Sequence, residues 1–224
     1  MQVLKKFIIL LSIMMTASCA VQKDYSKFRA ANLRSILIVP VVNRSVDVTA
    51  PEYFLSTISI PVAEQGYYVF PVNLVKRVLE DDGLSDADLV HSAPTSKLCD
   101  LFGADAVLYV SIERWDAQYM IVTTQVTVDL IYTIKDGKTG DTLWEDHQTM
   151  VYSPQSNQNS GSPMATLIVM AVQAAITKAD PNYLPLAQQA NAKAFTYPGH
   201  GIPPGPYATP IATPNTTPNT TPTQ

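Results

Sequence analysis

The chain has 224 residues, 46% of them hydrophobic, and 15 basic against 19 acidic side chains give a formal charge of -4. That length and apolar fraction suit one globular domain with appendages. The slight acidic excess leaves no basic field to neutralise phosphates, which argues against nucleic acid as a partner.

Lys5 and Lys6 precede an apolar run over residues 7–15, which fits the hydrophobic region of an export signal and falls short of the roughly 20 residues a spanning helix needs. Small residues then stand directly before a cysteine, Ala17-Ser18-Cys19, with Thr16 and the apolar Met14 and Met15 upstream. This stretch resembles the lipobox of bacterial lipoproteins. The resemblance implies a signal peptide over residues 1–18, cleavage before Cys19 and lipid on its thiol. A diacylglycerol and an amide-linked acyl chain at one residue would hold the protein stably to a membrane. Ala20, where aspartate would retain the protein at the inner membrane, implies the outer membrane with the domain facing the periplasm. With Cys19 consumed by lipid, Cys99 has no disulfide partner and reads as a small core residue.

Residues 19–34 read as a polar tether with a helical turn near residues 25–33. Residues 35–42 form a β-branched run that suits a strand buried on both faces, with Pro40 marking a bulge or an end. Apolar spacing predicts a helix over 51–65, kinked near Pro61 and stopped by Gly66, then a strand over 67–72. Helices follow over 73–82, ended by Gly83, over 86–91, and over 95–103 after Pro94. Residues 106–115 are a strand. From Val122 to Ile134 the even positions are Val, Thr, Val, Val, Leu, Tyr and Ile, so a long antiparallel strand has one buried face. The turn at 136–141 returns it as a hairpin partner over 142–152. Residues 153–163 are a polar loop, 164–179 an apolar helix covering the sheet, and 182–195 a more polar helix. The proline-, threonine- and asparagine-rich residues 196–224 read as a disordered tail. The whole is an α/β domain over 35–195, with helices covering a mixed, partly antiparallel sheet.

Chemistry is harder to find. His91, His147 and His200 are isolated in sequence, and on a strand Glu145 and His147 face away from Asp146, which favours a surface strand over a metal site. Glu80, Asp81 and Asp82 read as a solvated helix end, and Trp115 and Trp144 as packing residues. Asn215 and Asn219 head N-x-T sequons in the tail, weak signals for glycosylation. The motifs of zinc proteases, α/β hydrolases and phosphate-binding loops do not occur. Catalytic, metal-binding and cofactor-binding residues are therefore assigned to none, and an enzyme is not expected.

The hairpin stretch D-G-K-T-G-D-T-L-W resembles periplasmic lipoproteins with a domain like the amino-terminal domain of TolB. The runs P-E-Y-F-L-S-T-I-S-I-P-V-A-E-Q-G-Y-Y-V-F-P-V and G-A-D-A-V-L-Y-V-S-I-E-R-W, with the close G-I-P-P-G-P, are similar to bacterial lipoproteins of unknown function related to a neisserial genome-derived antigen. That resemblance covers about residues 35–195 and implies an exported lipoprotein serving an envelope assembly or transport complex, with no catalytic residues to carry over. Two functions are expected to compete. One is a non-catalytic docking subunit for unknown envelope proteins, held to the membrane through Cys19. The other is a cell-wall hydrolase with an unrecognised site.

Overall fold

The computed structural model describes residues 23–119, 124–152 and 183–208. The expected signal peptide, Cys19, the loop 153–163, the helix 164–179 and both sequons lie outside them. In chain order the elements are α1 (Ser26–Ala30), β1 (Ser35–Ile38), β2 (Val42–Asn43), α2 (Ala50–Glu64), β3 (Tyr68–Val69), α3 (Val72–Asp81), α4 (Ala87–Ser92), α5 (Thr95–Phe102), β4 (Ala106–Tyr119), β5 (Thr124–Asp136), β6 (Thr142–Tyr152) and α6 (Leu184–Thr196). The strands make one mixed sheet in the order β3-β1-β4-β5-β6, with β2 also on β4. β1 runs parallel to β3 and β4, whereas β4, β5 and β6 form an antiparallel meander.

Both faces of β1 are buried, as its β-branched run requires. Ile36 and Ile38 join a core with α1, α2 and α6, while Leu37 and Val39 join a second core with α3, α4 and α5. Pro40 sits at a bulge: Ile38 pairs with Leu108 and Val42 with Ser111, so four steps along one strand oppose three along the other. Proline has no N–H to give the ladder, and the extra residue is where that loss is tolerated. The second layer is set by helix stops. Gly83 and Gly103 take φ 85° and 68°, letting Leu84 N reach Leu79 O at 2.8 Å and Ala104 N reach Cys99 O at 3.0 Å. Asp86 caps α4 by accepting from Leu89 N at 3.1 Å. At the β5–β6 turn the Asp136 carboxylate accepts from Lys138 N and Thr139 N at 2.7 and 2.8 Å, and Gly140 turns with φ 74°.

Several boundaries differ from the sequence reading. The strand expected over 67–72 is only Tyr68–Val69, because Pro71 instead opens α3, its carbonyl accepting from Leu74 N and Val75 N at 3.0 Å each. β4 runs four residues past Trp115, to Tyr119, paired throughout with β5. Residues 23–34, expected to be a free tether, are packed: Phe28 and Leu33 are buried, and Phe28 meets Tyr67 edge to face at 6.2 Å. The tail expected to be disordered from 196 instead stays on the domain as far as Ala208. Ile202 is buried, Tyr67 OH donates to Pro203 O at 2.7 Å, and Gly205 N and Tyr207 N donate to Gln65 O and Gly66 O at 2.7 and 3.0 Å. Proline predicted its disorder, but these three backbone and side-chain bonds and one buried isoleucine hold this strap.

The deepest layer holds an internal polar chain. Tyr132 OH donates to Asn191 Oδ1 at 2.6 Å, Asn191 Nδ2 to Thr57 Oγ1 at 2.8 Å, and Thr57 Oγ1 to Phe54 O at 2.7 Å. Asn191 and Tyr132 are fully buried, so each polar atom in the chain is matched rather than stranded. Burial pushes the Tyr132 phenol well above its ordinary range, with Asp146 adding to the effect, so the hydroxyl remains a donor.

Asp105 clamps the starts of β1 and β4 together. Its Oδ2 accepts from Arg34 N, Ser35 N and Ser35 Oγ at 2.9, 3.0 and 3.2 Å, and Asp105 N donates back to Ser35 Oγ at 3.0 Å. Partial burial opposes the charge, but these hydrogen bonds and Arg34 outweigh it and hold the carboxyl below its usual value. A carboxyl depressed in the fold contributes stability that is present above its unfolded pKa and lost as pH falls through the folded one. Acid titration of unfolding should therefore show Asp105→Asn reducing the loss of stability below about pH 4, the ordinary aspartate range. An unchanged acid limb would mean that Asp105 makes no contribution to it.

Candidate functional site

The edge strand β6 is the first surface to consider. Among the described residues no strand lies on its outer side. The amino-terminal stretch crosses it instead: Lys23 Nζ donates to Glu145 O, lies 3.2 Å from Asp146 Oδ1, and sits 4.8 Å above the Trp144 ring. Asp146 also accepts from Gln148 Nε2 at 2.5 Å, so a carboxylate on the inner face of an edge strand is fully engaged. A lysine across an edge is one way in which sheets avoid pairing with the wrong strand.

The outer face of the hairpin is the second. His147 Nε2 and Thr149 Oγ1 lie 2.5 and 3.0 Å from Asp129 Oδ1, and Arg114 Nε lies 3.8 Å from Asp129 Oδ2. The antiparallel register brings them together, since Arg114 pairs with Asp129 and Asp129 with Thr149. Cross-strand polar pairs of this kind stabilise an exposed face. Glu145 and His147 do point away from Asp146, as strand alternation predicts, and among the described residues no group of three or more metal-ligating side chains could hold an ion. The Asp129–His147 pair is invisible to motif scanning but follows once the sequence is folded about the 136–141 turn.

The third is a cleft of about 360 Å³ beyond the carboxyl end of β1, lined by Pro40, Val41, Pro51, Glu52, Lys76 and Asp86. Open α/β sheets favour ligands at this end of their parallel strands. Part of its charged rim is paired, with Lys76 3.5 Å from Glu52 and Asp88 2.6 Å from Arg44 outside the cleft.

The remaining reactive side chains are in structural roles. His91 lies 3.0 Å from Pro40 O and edge-on to Tyr109 at 5.1 Å, and burial lowers its pKa. Cys99 is buried in the second core. Burial first, then the charges of Asp136, Asp100 and Asp105, push its thiol up to about 11, the opposite of what a nucleophilic cysteine needs. Trp115 and Trp144 are both buried and pack as expected, Trp115 against Tyr183 at 5.3 Å and Trp144 against Phe195 at 5.1 Å. His200 offers only its backbone carbonyl to Trp144 Nε1, at 3.4 Å.

Residues 23–207 match the family described as "Putative lipoprotein GNA1162-like". The chain belongs to that family. It is 31% identical over 201 residues to "Putative lipoprotein NMB1124/NMB1162" of Neisseria meningitidis serogroup B, covering 88% of this chain and 93% of the relative. It also resembles the crystal structure of lipoprotein GNA1162 from Neisseria meningitidis, with 32% identity and a TM-score of 0.53 over 64% of this chain and 97% of that one. The mixed α/β sheet with its helical layers is thus the family fold. The match ends at Tyr207, one residue before the described strap does, so the strap belongs to the family domain.

Proposed function

We propose that this member of the GNA1162-like family is anchored in the outer membrane by lipid on Cys19 and faces the periplasm as a non-catalytic docking subunit of an envelope assembly or transport complex. The observation that carries the docking role is the stretch of β6 beyond the Lys23 crossing, residues 147–152, an extended main chain with no strand on its outer side among the described residues. Such an edge can add a partner strand through main-chain hydrogen bonds. The engaged histidines and the suppressed Cys99 thiol supply no activated nucleophile, which favours docking over hydrolysis.

Two measurements on intact cells test the reading. Cys19→Ala should move the protein from the membrane to the soluble fraction and block its lipid-dependent processing, and unchanged fractionation would defeat the anchor. Crosslinking and mass spectrometry should return reproducible envelope proteins, lost when residues 153–163 are deleted and the domain still folds. Recovery of no partner, with turnover of cell-wall material by the purified protein, would replace docking with hydrolysis.

A further inference from the structure

Resting on the proposed anchor at Cys19, we infer that the domain does not hang free in the periplasm but lies against the bilayer, with α1 and the 197–200 turn at the lipid surface. The leash sets the distance. Lys23 is already fixed to β6 through Glu145, Asp146 and Trp144, and only four peptide steps separate it from Cys19. Fully extended, four steps span at most about 14 Å. A folded unit of about 150 residues has a radius of gyration of roughly 15 Å, so the leash keeps Lys23, and the surface around it, within about one domain radius of the membrane.

The attachment point also selects the side. Lys23 reaches the inner-face side chains Trp144 and Asp146 at the sheet edge, in the layer of α1 and α6. Around it the surface suits a headgroup layer. Tyr25 OH donates to Gly199 O at 3.4 Å, joining α1 to the turn, and Tyr197, 55% exposed, stands beside the His200 ring at 5.9 Å. Lys27 and Arg29 are exposed on α1 and Lys193 on α6 just before the turn, whereas the nearby acid Asp24 is tied to Ser26 N and Oγ at 2.9 and 2.5 Å. Tyrosine rings with basic side chains are the combination that membrane interfaces accept, the rings at the glycerol level and the cations on lipid phosphates. On the other side, α4 contacts β2, three strands from β6 and in the opposite layer. At about 4.8 Å per strand and about 10 Å per layer, it stands well away from the leash.

The test uses the full-length lipidated protein in vesicles of phosphatidylethanolamine and phosphatidylglycerol. Tyr197→Cys and Leu89→Cys have nearly equal exposure, 55% and 54% for the native residues, and each receives an environment-sensitive fluorophore. Cys99 is buried and does not compete for the label. Lipids carrying a nitroxide near the headgroup should quench most of the emission at position 197 and little of that at 89. A twenty-residue glycine-serine insertion between Gln22 and Lys23 should remove most of that difference. The mass of the mature amino terminus reports the anchor separately. A chain without lipid overturns both the anchor and the apposition, whereas a lipidated chain whose two probes are quenched alike overturns the apposition alone.

Discussion

Phe195→Ala is expected to destabilise the domain by about 3–5 kcal/mol, the range for emptying a large buried aromatic site. Phe195 is fully buried on α6, edge to face with Tyr132 at 5.4 Å and tilted against Trp144 at 5.1 Å. It is the side chain through which the last helix grips the middle of the hairpin, and its neighbours sit on β5 and β6, whose ladder resists collapse into the void. Chemical denaturation should show a lower midpoint with an unchanged slope. Phe195→Leu, which keeps most of the volume, should lose much less. A loss under about 1 kcal/mol for the alanine variant would mean that α6 is not seated on the sheet in solution, since truncating a buried large side chain to alanine costs at least about 2 kcal/mol.

The second large effect concerns Gly66. Its φ of 85° lies in the left-handed region, and a Cβ there would come within 2.1 Å of Ala208 N and 2.7 Å of Ala208 Cβ. Alanine therefore meets two costs: about 1–2 kcal/mol for the backbone conformation, and a collision with the strap that can be relieved only by moving main chain. Gly83 supplies the control, because it has the same φ of 85° and nothing within 4 Å of a Cβ. Gly83→Ala should show the conformational cost alone. Gly66→Ala should exceed it and also speed amide hydrogen exchange at Gly205 and Tyr207, the donors to Gln65 and Gly66. Equal losses for the two variants, with exchange unaltered, would show that the strap does not press on Gly66.

The fold was legible wherever one face of an element is buried and the other wet. The even positions of β5 from Val126 to Ile134 are all buried, as alternation requires, and the turn residues Asp136 and Gly140 do what their chemistry allows. Elements held by contacts distant in sequence were not legible. Lys23 is pinned by residues more than 120 positions away, and Pro203 is held by Tyr67 across 136, so neither the tether nor the strap carries a local signature of order. The continuation of β4 through Asp116 and Ala117 was hidden because its partner β5, rather than its own composition, keeps it extended. For the candidate surfaces, the buried tryptophans and the inert Cys99 could be read from residue type, while the Asp129–His147 pair needed the register of the hairpin.

That register depends on the polar chain from Tyr132 through Asn191 to Thr57. Strand side chains alternate, so slipping β5 by one residue would carry Tyr132 to the outer face and leave Asn191 Oδ1 in an apolar interior without its donor, while the Asn191–Thr57 bond between α6 and α2 stays made. That stranded acceptor would cost about 1–3 kcal/mol. Apolar neighbours such as Val128, Leu130 and Ile134 could exchange places at far smaller penalty, because greasy contacts are interchangeable and hydrogen bonds are not. The consequence is discrimination rather than added strength: three polar side chains in the core make the correct alignment of the meander the one arrangement that satisfies them all.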